Sequence, residues 1–354
     1  MNILQITNSL HVGGAERLLT DFIPKLKRKH CVELLVLQHC KSPFMDYVCD
    51  CGVKVHCLEV RSLYSLSAIL KIRRFLKNNP QFDVVHVHLF PSLYWTAIAS
   101  IGLRKKLVWT EHNTFNKRRN KWYMRFVEKY IYSQYNKIVC ISKATLLSLT
   151  GWIGGKTNST KFAVIENGVD IEKFERIDIE HRYPHTLIMV SRFELAKDQD
   201  TLLRAMQHLD SDVHTIFVGD GSRLDYCKSL SCQLGINDRV HFLGSRTDIR
   251  QLLSIADIAV QSSHWEGFGL TAVEAMANGL PMIASNVDGL KQVVEDVGIL
   301  FEKGDDVALA NAINVLLDDK ILYENMSKRS LQRAKMYSIN NMTDRYIRLY
   351  ESLV

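Results

Sequence analysis

The residues best placed to do chemistry run from 262 to 276: Ser262-Ser263-His264-Trp265-Glu266-Gly267-Phe268-Gly269-Leu270-Thr271-Ala272-Val273-Glu274-Ala275-Met276. They follow the β-branched run Ile258–Gln261 and open a helical pattern. Gly267 and Gly269 let the backbone turn tightly. The first amides of the helix, near Gly269–Thr271, can then point at an anion with the helix dipole behind them. That makes the turn a phosphate seat. Glu266 lies before the turn and Glu274 about one turn into the helix, so both carboxylates can border one pocket and accept hydrogen bonds from sugar hydroxyls. Thr271-Ala272-Val273-Glu274 is also a good capping box, and that reading of Glu274 stays open.

Other polar residues gather where β-branched runs end. Ser191-Arg192 closes Thr186–Val190, with Lys197 shortly after. Gly13-Gly14-Ala15-Glu16-Arg17 follows Ile3–Thr7, and Glu111-His112-Asn113 follows Leu107–Thr110. His86 and His88 alternate within Asp83–His88, so they share one strand face, where a structural role is expected. Asp198-Gln199-Asp200 precedes a helix, where N-capping accounts for an Asp. Cys31, Cys40, Cys49, Cys51 and Cys57 lie near His39 and His56, but their spacing fits no zinc pattern and buried filler is expected. The Gly-Gly loop lacks G-x-G-x-x-G, which disfavours a nicotinamide-dependent oxidoreductase.

These residues need elements to hold them. Short β-branched runs alternate with amphipathic segments from the start: Ile3–Thr7, Ala15–Lys29, Val32–Leu37, Lys54–Val60, Ser67–Asn78, Asp83–His88. The alternation continues to Phe162–Glu166 and restarts at Thr186–Val190 after the polar stretch Ile171–Pro184. It predicts an α/β chain of two Rossmann-like, doubly wound parallel domains with a cleft between them, where ligands bind at the carboxyl ends of strands. The 354 residues suit two cores. The expected division is 1–170, 171–338 and a C-terminal helix, 339–354, that packs back on the first domain.

Glu266, two glycines and Glu274 at this spacing resemble the E-x7-E motif of the retaining glycosyltransferases of family 4, which have the GT-B fold. The resemblance covers nearly the whole chain and is most specific in residues 186–300. It implies that Arg192 and Lys197 hold a donor diphosphate and that Val218-Gly219-Asp220-Gly221 is the V-G-x-G turn. It further implies that Gly13 and Gly14 lie near the donor phosphates and sugar, and that His112 is the cleft histidine. Glu266, His112, Arg192 and Lys197 are thus the expected catalytic residues. Gly13, Gly14, Arg192, Lys197, Gly267, Phe268, Gly269, Leu270 and Glu274 are the expected donor-binding set. No cofactor or metal is expected, although Asp198-Gln199-Asp200 has the D-x-D form of metal-dependent glycosyltransferases of the other main fold.

The charge is lopsided. Residues 1–170 hold 25 Lys and Arg against 11 Asp and Glu, and the remainder 20 against 27. The basic half suggests an anionic surface. In Lys117–Tyr132, Lys121, Arg125 and Lys129 repeat every four positions beside Trp122, Phe126 and Tyr130, as on an interfacial helix. The alternative is that the aromatic face packs on the sheet. The expected function is transfer of a sugar from a nucleoside diphosphate, UDP rather than GDP, to a glycan or lipid-linked acceptor in surface-polysaccharide assembly. The expected partners are the nucleotide-sugar donor, that acceptor and an anionic membrane surface, without nucleic acid. The N-terminus lacks a signal-peptide pattern, so a cytoplasmic protein, peripheral at the inner membrane face, is expected. A sugar-nucleotide epimerase or hydrolase of the same fold, or a non-catalytic nucleotide-binding protein, is the alternative.

Overall fold

A computed structural model describes residues 1–11, 13–114 and 116–354. The chain divides into two compact units, Met1–Gly168 with Ile339–Val354, and Val169–Ser338.

The first unit carries seven strands: β1 Asn2–Thr7, β2 Cys31–Val36, β3 Lys54–Cys57, β4 Val84–His88, β5 Lys106–Glu111, β6 Lys137–Cys140 and β7 Phe162–Val164. They pair in parallel in the order β3-β2-β1-β4-β5-β6-β7. The connecting helices are α1 Gly14–Lys27, α2 Pro43–Asp50, α3 Ser67–Asn78, α4 Ser92–Ala99, α5 Met124–Ser133 and α6 Lys143–Ile153. Strands such as VVHVH in β4 are buried throughout, as a sheet covered on both faces requires.

The second unit repeats the plan with β8 His185–Val190, β9 Val213–Val218, β10 Val240–Phe242, β11 Ile258–Gln261, β12 Met282–Ser285 and β13 Ile299–Phe301. Their order is β10-β9-β8-β11-β12-β13, again parallel. Its helices are α7 Gln199–Ala205, α8 Leu224–Gln233, α9 Ile249–Ser254, α10 Leu270–Ala277, α11 Asp288–Val294, α12 Asp306–Asp318 and α13 Lys320–Met336; α14, Ile339–Glu351, belongs to the first unit. In both sheets the order reverses at the first strand, between β1 and β4 and between β8 and β11. Such switch points are where doubly wound sheets hold ligands.

Helix α5 turns its aromatic stripe outward, against the alternative that these residues pack on the sheet. It begins at Met124, so Trp122 sits in the preceding turn, and its inward face is Glu128, Ile131 and Tyr132. Glu128 is fully buried and accepts hydrogen bonds from Tyr94 Oη (2.9 Å), Arg118 Nε (2.9 Å) and Trp152 Nε1 (2.7 Å). Those bonds hold the carboxylate inside and turn the aromatic residues outward. Trp122 is 76 % exposed, Phe126 66 % and Tyr130 54 %, so the aromatic face does not pack on the sheet.

Candidate functional site

In the second unit the site is laid out by backbone contacts. The loop after β8 runs beside the loop after β9, with Ser191 N donating to Val218 O, Phe193 N to Asp220 O and Arg223 N back to Phe193 O. The glycines of Val218-Gly219-Asp220-Gly221 make this approach possible. Their φ values are 138° and 153°, and a Cβ would come 2.0 Å from Ser191 O at Gly219 and 2.4 Å from Phe193 O at Gly221. Arg192 is thereby fixed at its main chain, while its side chain is 67 % exposed and pairs with Glu194 at 3.0 Å. Lys197 pairs with the Glu266 carboxylate, whose other oxygen accepts from Gly267 N at 3.2 Å. Two expected site residues, far apart in sequence, thus meet directly.

Helix α10 starts after Gly269, which has φ +94° and no side chain to cap the helix. Thr271 lies inside the helix, so Thr271-Ala272-Val273-Glu274 is not a capping box and the capping reading of Glu274 fails. Glu274 is instead a buried carboxylate in the body of α10. Phe268 also departs from expectation. Its ring is buried and packs edge-on against Tyr337 at 5.2 Å, so only its main chain is left for a donor. Gly267, Gly269 and Leu270 surround the helix start as expected.

Asp198 sits at the N-cap of α7 in a left-handed conformation without capping it. It accepts from the Thr201 hydroxyl at 2.6 Å, and burial pushes its carboxyl pKa up. Asp200 takes a bidentate bond from Arg223 at 2.7 and 2.8 Å. N-capping is therefore not what these residues do. No cluster of three or more His, Cys, Asp or Glu able to hold a metal occurs among the described residues.

In the first unit, Gly13 is the extended N-cap of α1 and Gly14 its first residue. A Cβ on Gly14 would meet nothing within 4 Å, whereas one on Gly13 would come 2.4 Å from the Glu16 carboxylate, which folds back over the helix start. His112 follows β5, and burial lowers its pKa to about 4, so it is neutral near pH 7. Its Nε2 lies 3.2 Å from His88 Nδ1. A small open pocket beside it is lined by Phe90, Trp109, Glu111, Asn113, Asn116 and Arg118, among others. Glu111 accepts from Tyr132 Oη at 2.5 Å, and burial raises its pKa.

Two residues near the site have no motif to mark them. Gly289 opens α11 against the main chain of Glu266, where a Cβ would come 2.5 Å from its carbonyl oxygen. Gln5, on β1, meets His88. The alternation of β1 is the one signal for Gln5, since it puts a polar residue at an inward position.

The model "Glycosyltransferase Family 4" matches residues 12–173, and "Glycosyl transferases group 1" matches residues 170–333. The chain is 27 % identical over 321 residues, 80 % of each protein, to the Escherichia coli UDP-Gal:alpha-D-GlcNAc-diphosphoundecaprenol alpha-1,3-galactosyltransferase. It is 35 % identical over 148 residues to the Bacillus anthracis N-acetyl-alpha-D-glucosaminyl L-malate synthase, a match covering 41 % of this chain and 39 % of that enzyme. The fold is that of Anabaena HepE, solved in complex with UDP and glucose, with a TM-score of 0.86, 24 % identity and coverage of 99 % and 100 % of the two chains. It is the GT-B fold, and with its halves matched in order by those two models the chain belongs to the family 4 glycosyltransferases.

Proposed function

We propose that the protein is a retaining transferase that moves a sugar from a UDP-sugar to a glycan or lipid-linked acceptor, without a metal, in surface-polysaccharide assembly. The observation carrying this reading is the second unit's cationic and amide cluster: Arg192 exposed on a glycine-locked loop, Lys197 at Glu266, and the open start of α10. Arg192 and Lys197 hold the diphosphate, with the main chain at Gly269 and Leu270 adding phosphate contacts. Glu274 takes the ribose hydroxyls and Glu266 orients the sugar. Charge-assisted bonds contribute about 1.5–3 kcal/mol each, enough for two cations and a helix start to stabilise a departing diphosphate. A diphosphate oxygen takes the proton of an acceptor that attacks from the leaving-group face, so no strong protein base is needed. UDP is favoured because the HepE complex holds UDP and the E. coli relative is named for UDP-Gal. That relative's diphosphoundecaprenol acceptor supports a lipid-linked one here.

Thermal shift against nucleotide sugars tests the donor. A nucleotide at 100 times its Kd adds about 2.7 kcal/mol of stability. UDP and one UDP-sugar should raise the Tm while GDP does not; no shift with any nucleotide would refute the reading. UDP release in the absence of acceptor would favour a hydrolase.

The same proposal places the first unit at a cytoplasmic membrane face. No helix among the described residues is long and apolar enough to cross a membrane. The outward residues Trp122, Tyr123, Phe126 and Tyr130 lie beside Lys121, Arg125 and Lys129. Elsewhere in the same unit Phe90, under the Arg118 guanidinium at 4.1 Å, makes a 6.0 Å ring contact with exposed Tyr64. Each basic residue near anionic lipid adds about 1 kcal/mol. Co-sedimentation with anionic vesicles should be strong at low salt, weak at high salt and lost in Lys121/Arg125/Lys129→Ala. Equal, negligible binding to anionic and neutral vesicles would leave a soluble acceptor.

A further inference from the structure

A run of hydrogen bonds inside the first unit joins His112 to the C-terminal helix. His112 Nε2 lies 3.2 Å from His88 Nδ1, and His88 Nε2 lies 2.8 Å from Gln5 Oε1. Gln5 Nε2 donates to the Tyr350 hydroxyl at 3.4 Å. That hydroxyl is 2.6 Å from His86 Nδ1, His86 Nε2 is 2.7 Å from Thr110 Oγ1, and Thr110 Oγ1 is 2.9 Å from the Tyr346 hydroxyl. Gln5, His86, His88, Thr110, Tyr346 and Tyr350 are all buried. A polar chain of this size inside a sheet domain is costly unless every member is satisfied.

Burial holds all three imidazoles neutral, so each carries one N–H and one bare nitrogen. Along such a chain the place of one proton dictates the next. Gln5 supplies the direction, because an amide nitrogen only donates and an amide oxygen only accepts. With the nitrogen turned to Tyr350, the oxygen faces His88, and His88 Nε2 must carry the proton. His88 Nδ1 is then bare and can only accept, so the proton between the two imidazoles sits on His112 Nε2. On the other branch Tyr350 accepts from Gln5 and also bonds His86, which meets Thr110, and Thr110 meets Tyr346; hydroxyls donate and accept, so the proton order on this branch is not dictated.

We propose that Gln5 and His88 are positioning residues that fix His112 as its Nε2-protonated tautomer, leaving Nδ1 bare as the acceptor for a substrate hydroxyl. The inference rests on the reading of His112 as a substrate contact. It makes the ring an acceptor for sugar or acceptor hydroxyls and unsuited to donating to a phosphate. It also gives α14, through Tyr350 on the same face of the sheet, a part in setting that chemistry.

The test is long-range proton–nitrogen NMR on the full chain labelled with ¹⁵N-histidine, with His112→Gln assigning the His112 signals. In the wild type, Nε2 should show the shift of a protonated nitrogen and Nδ1 that of a bare one. Gln5→Leu and Tyr350→Phe should each average the two, and lower kcat by about three- to tenfold with the donor KM within about twofold. A wild-type proton on Nδ1, or a tautomer unmoved by both variants, would overturn the assignment. If the leucine variant does not fold, Tyr350→Phe decides, since it removes one oxygen and keeps the ring. The expected tautomer in a protein that transfers sugar from no nucleotide donor would refute the enzymatic reading and not the tautomer.

Discussion

The two units repeat one sheet plan but hold the polar residues at their strand ends by opposite means. In the second unit charge is held in ion pairs: one cation stands exposed on a loop that glycines lock in place, and the other is largely buried against a carboxylate. Arg192 is largely exposed, and Lys197 meets Glu266. In the first unit the His112 ring is neutral and adjoins a chain of six buried polar residues. A diphosphate carries formal charge and needs cations that can gather round it, so a firm main chain with mobile ends suits it. A sugar hydroxyl is neutral and directional, and is best met by a group whose donor and acceptor sides are settled before it arrives.

The contrast can be broken first at the charged half. Arg192→Ala and Glu274→Ala should each reduce kcat/KM by roughly ten- to a hundredfold or more in steady-state assays, while the protein stays folded. Folded variants with unchanged kinetics would remove both residues from the donor site. Next comes the glycine lock. Gly219→Ala would force a Cβ to within 2.0 Å of a carbonyl oxygen. It should cost ~3 kcal/mol or more, read by urea denaturation, with donor use lost as the loop shifts. A fully stable Gly219→Ala protein would show that the loops are not locked.

A smaller effect belongs to the neutral half. Burial lowers the pKa of His112 from 6.5 to about 4 on folding and pushes those of His86 and His88 well down in the same direction. The unfolded chain therefore binds more protons than the folded one across that window. Stability should be complete above about pH 6.5 and decline steadily as the pH drops toward 4. Melting curves from pH 7.5 to 4.5 would show it, and His112→Gln should make the decline shallower. A Tm flat over that range would mean the rings are not buried neutral. The smallest expected effect is that of EDTA, which should leave the rate within about twofold. Complete loss, restored by Mn²⁺ or Mg²⁺, would bring Asp198 and Asp200 back as ligands.

Legibility from sequence followed how strongly each element repeats a pattern. Helix α3 reads clearly, because Ala68, Ile72 and Leu76 turn inward at helical spacing with charges between. Helix α4, SLYWTAIA, has no polar face to reveal its period, being buried on nearly all sides, and in sequence it is only an apolar stretch. Helix α5 is legible and misleading at once, since its buried face contains Glu128 and its exposed face the aromatics. No local pattern shows that Tyr94, Arg118 and Trp152 converge on that carboxylate. In the site, Glu266 and Lys197 could be named from their places at strand ends, but not that they pair. The box Thr271–Glu274 looked like a cap because the left-handed Gly269 that starts the helix earlier is a backbone property. Gln5 shows in sequence only as a polar residue within an apolar strand, and its role stays hidden because it depends on Tyr350, 345 residues away.

The chain leaves the first unit after Gly168 and re-enters it at Ile339, and Val169 N donates to Tyr337 O at 2.8 Å where the two passages lie side by side. The second unit is therefore, in topological terms, an insertion between the seventh strand and the last helix of its host. A continuous segment 169–338 has both ends at one spot and all its strands within it. The host has no such independence. Cut after residue 168, it loses Tyr346 and Tyr350, and His86 and Gln5 would keep buried polar atoms with nothing opposite them, at ~1–3 kcal/mol each. Helix α14 is thus the closing piece of the domain that β1 opens, and that domain cannot be complete until the second unit has been made and α14 has followed it.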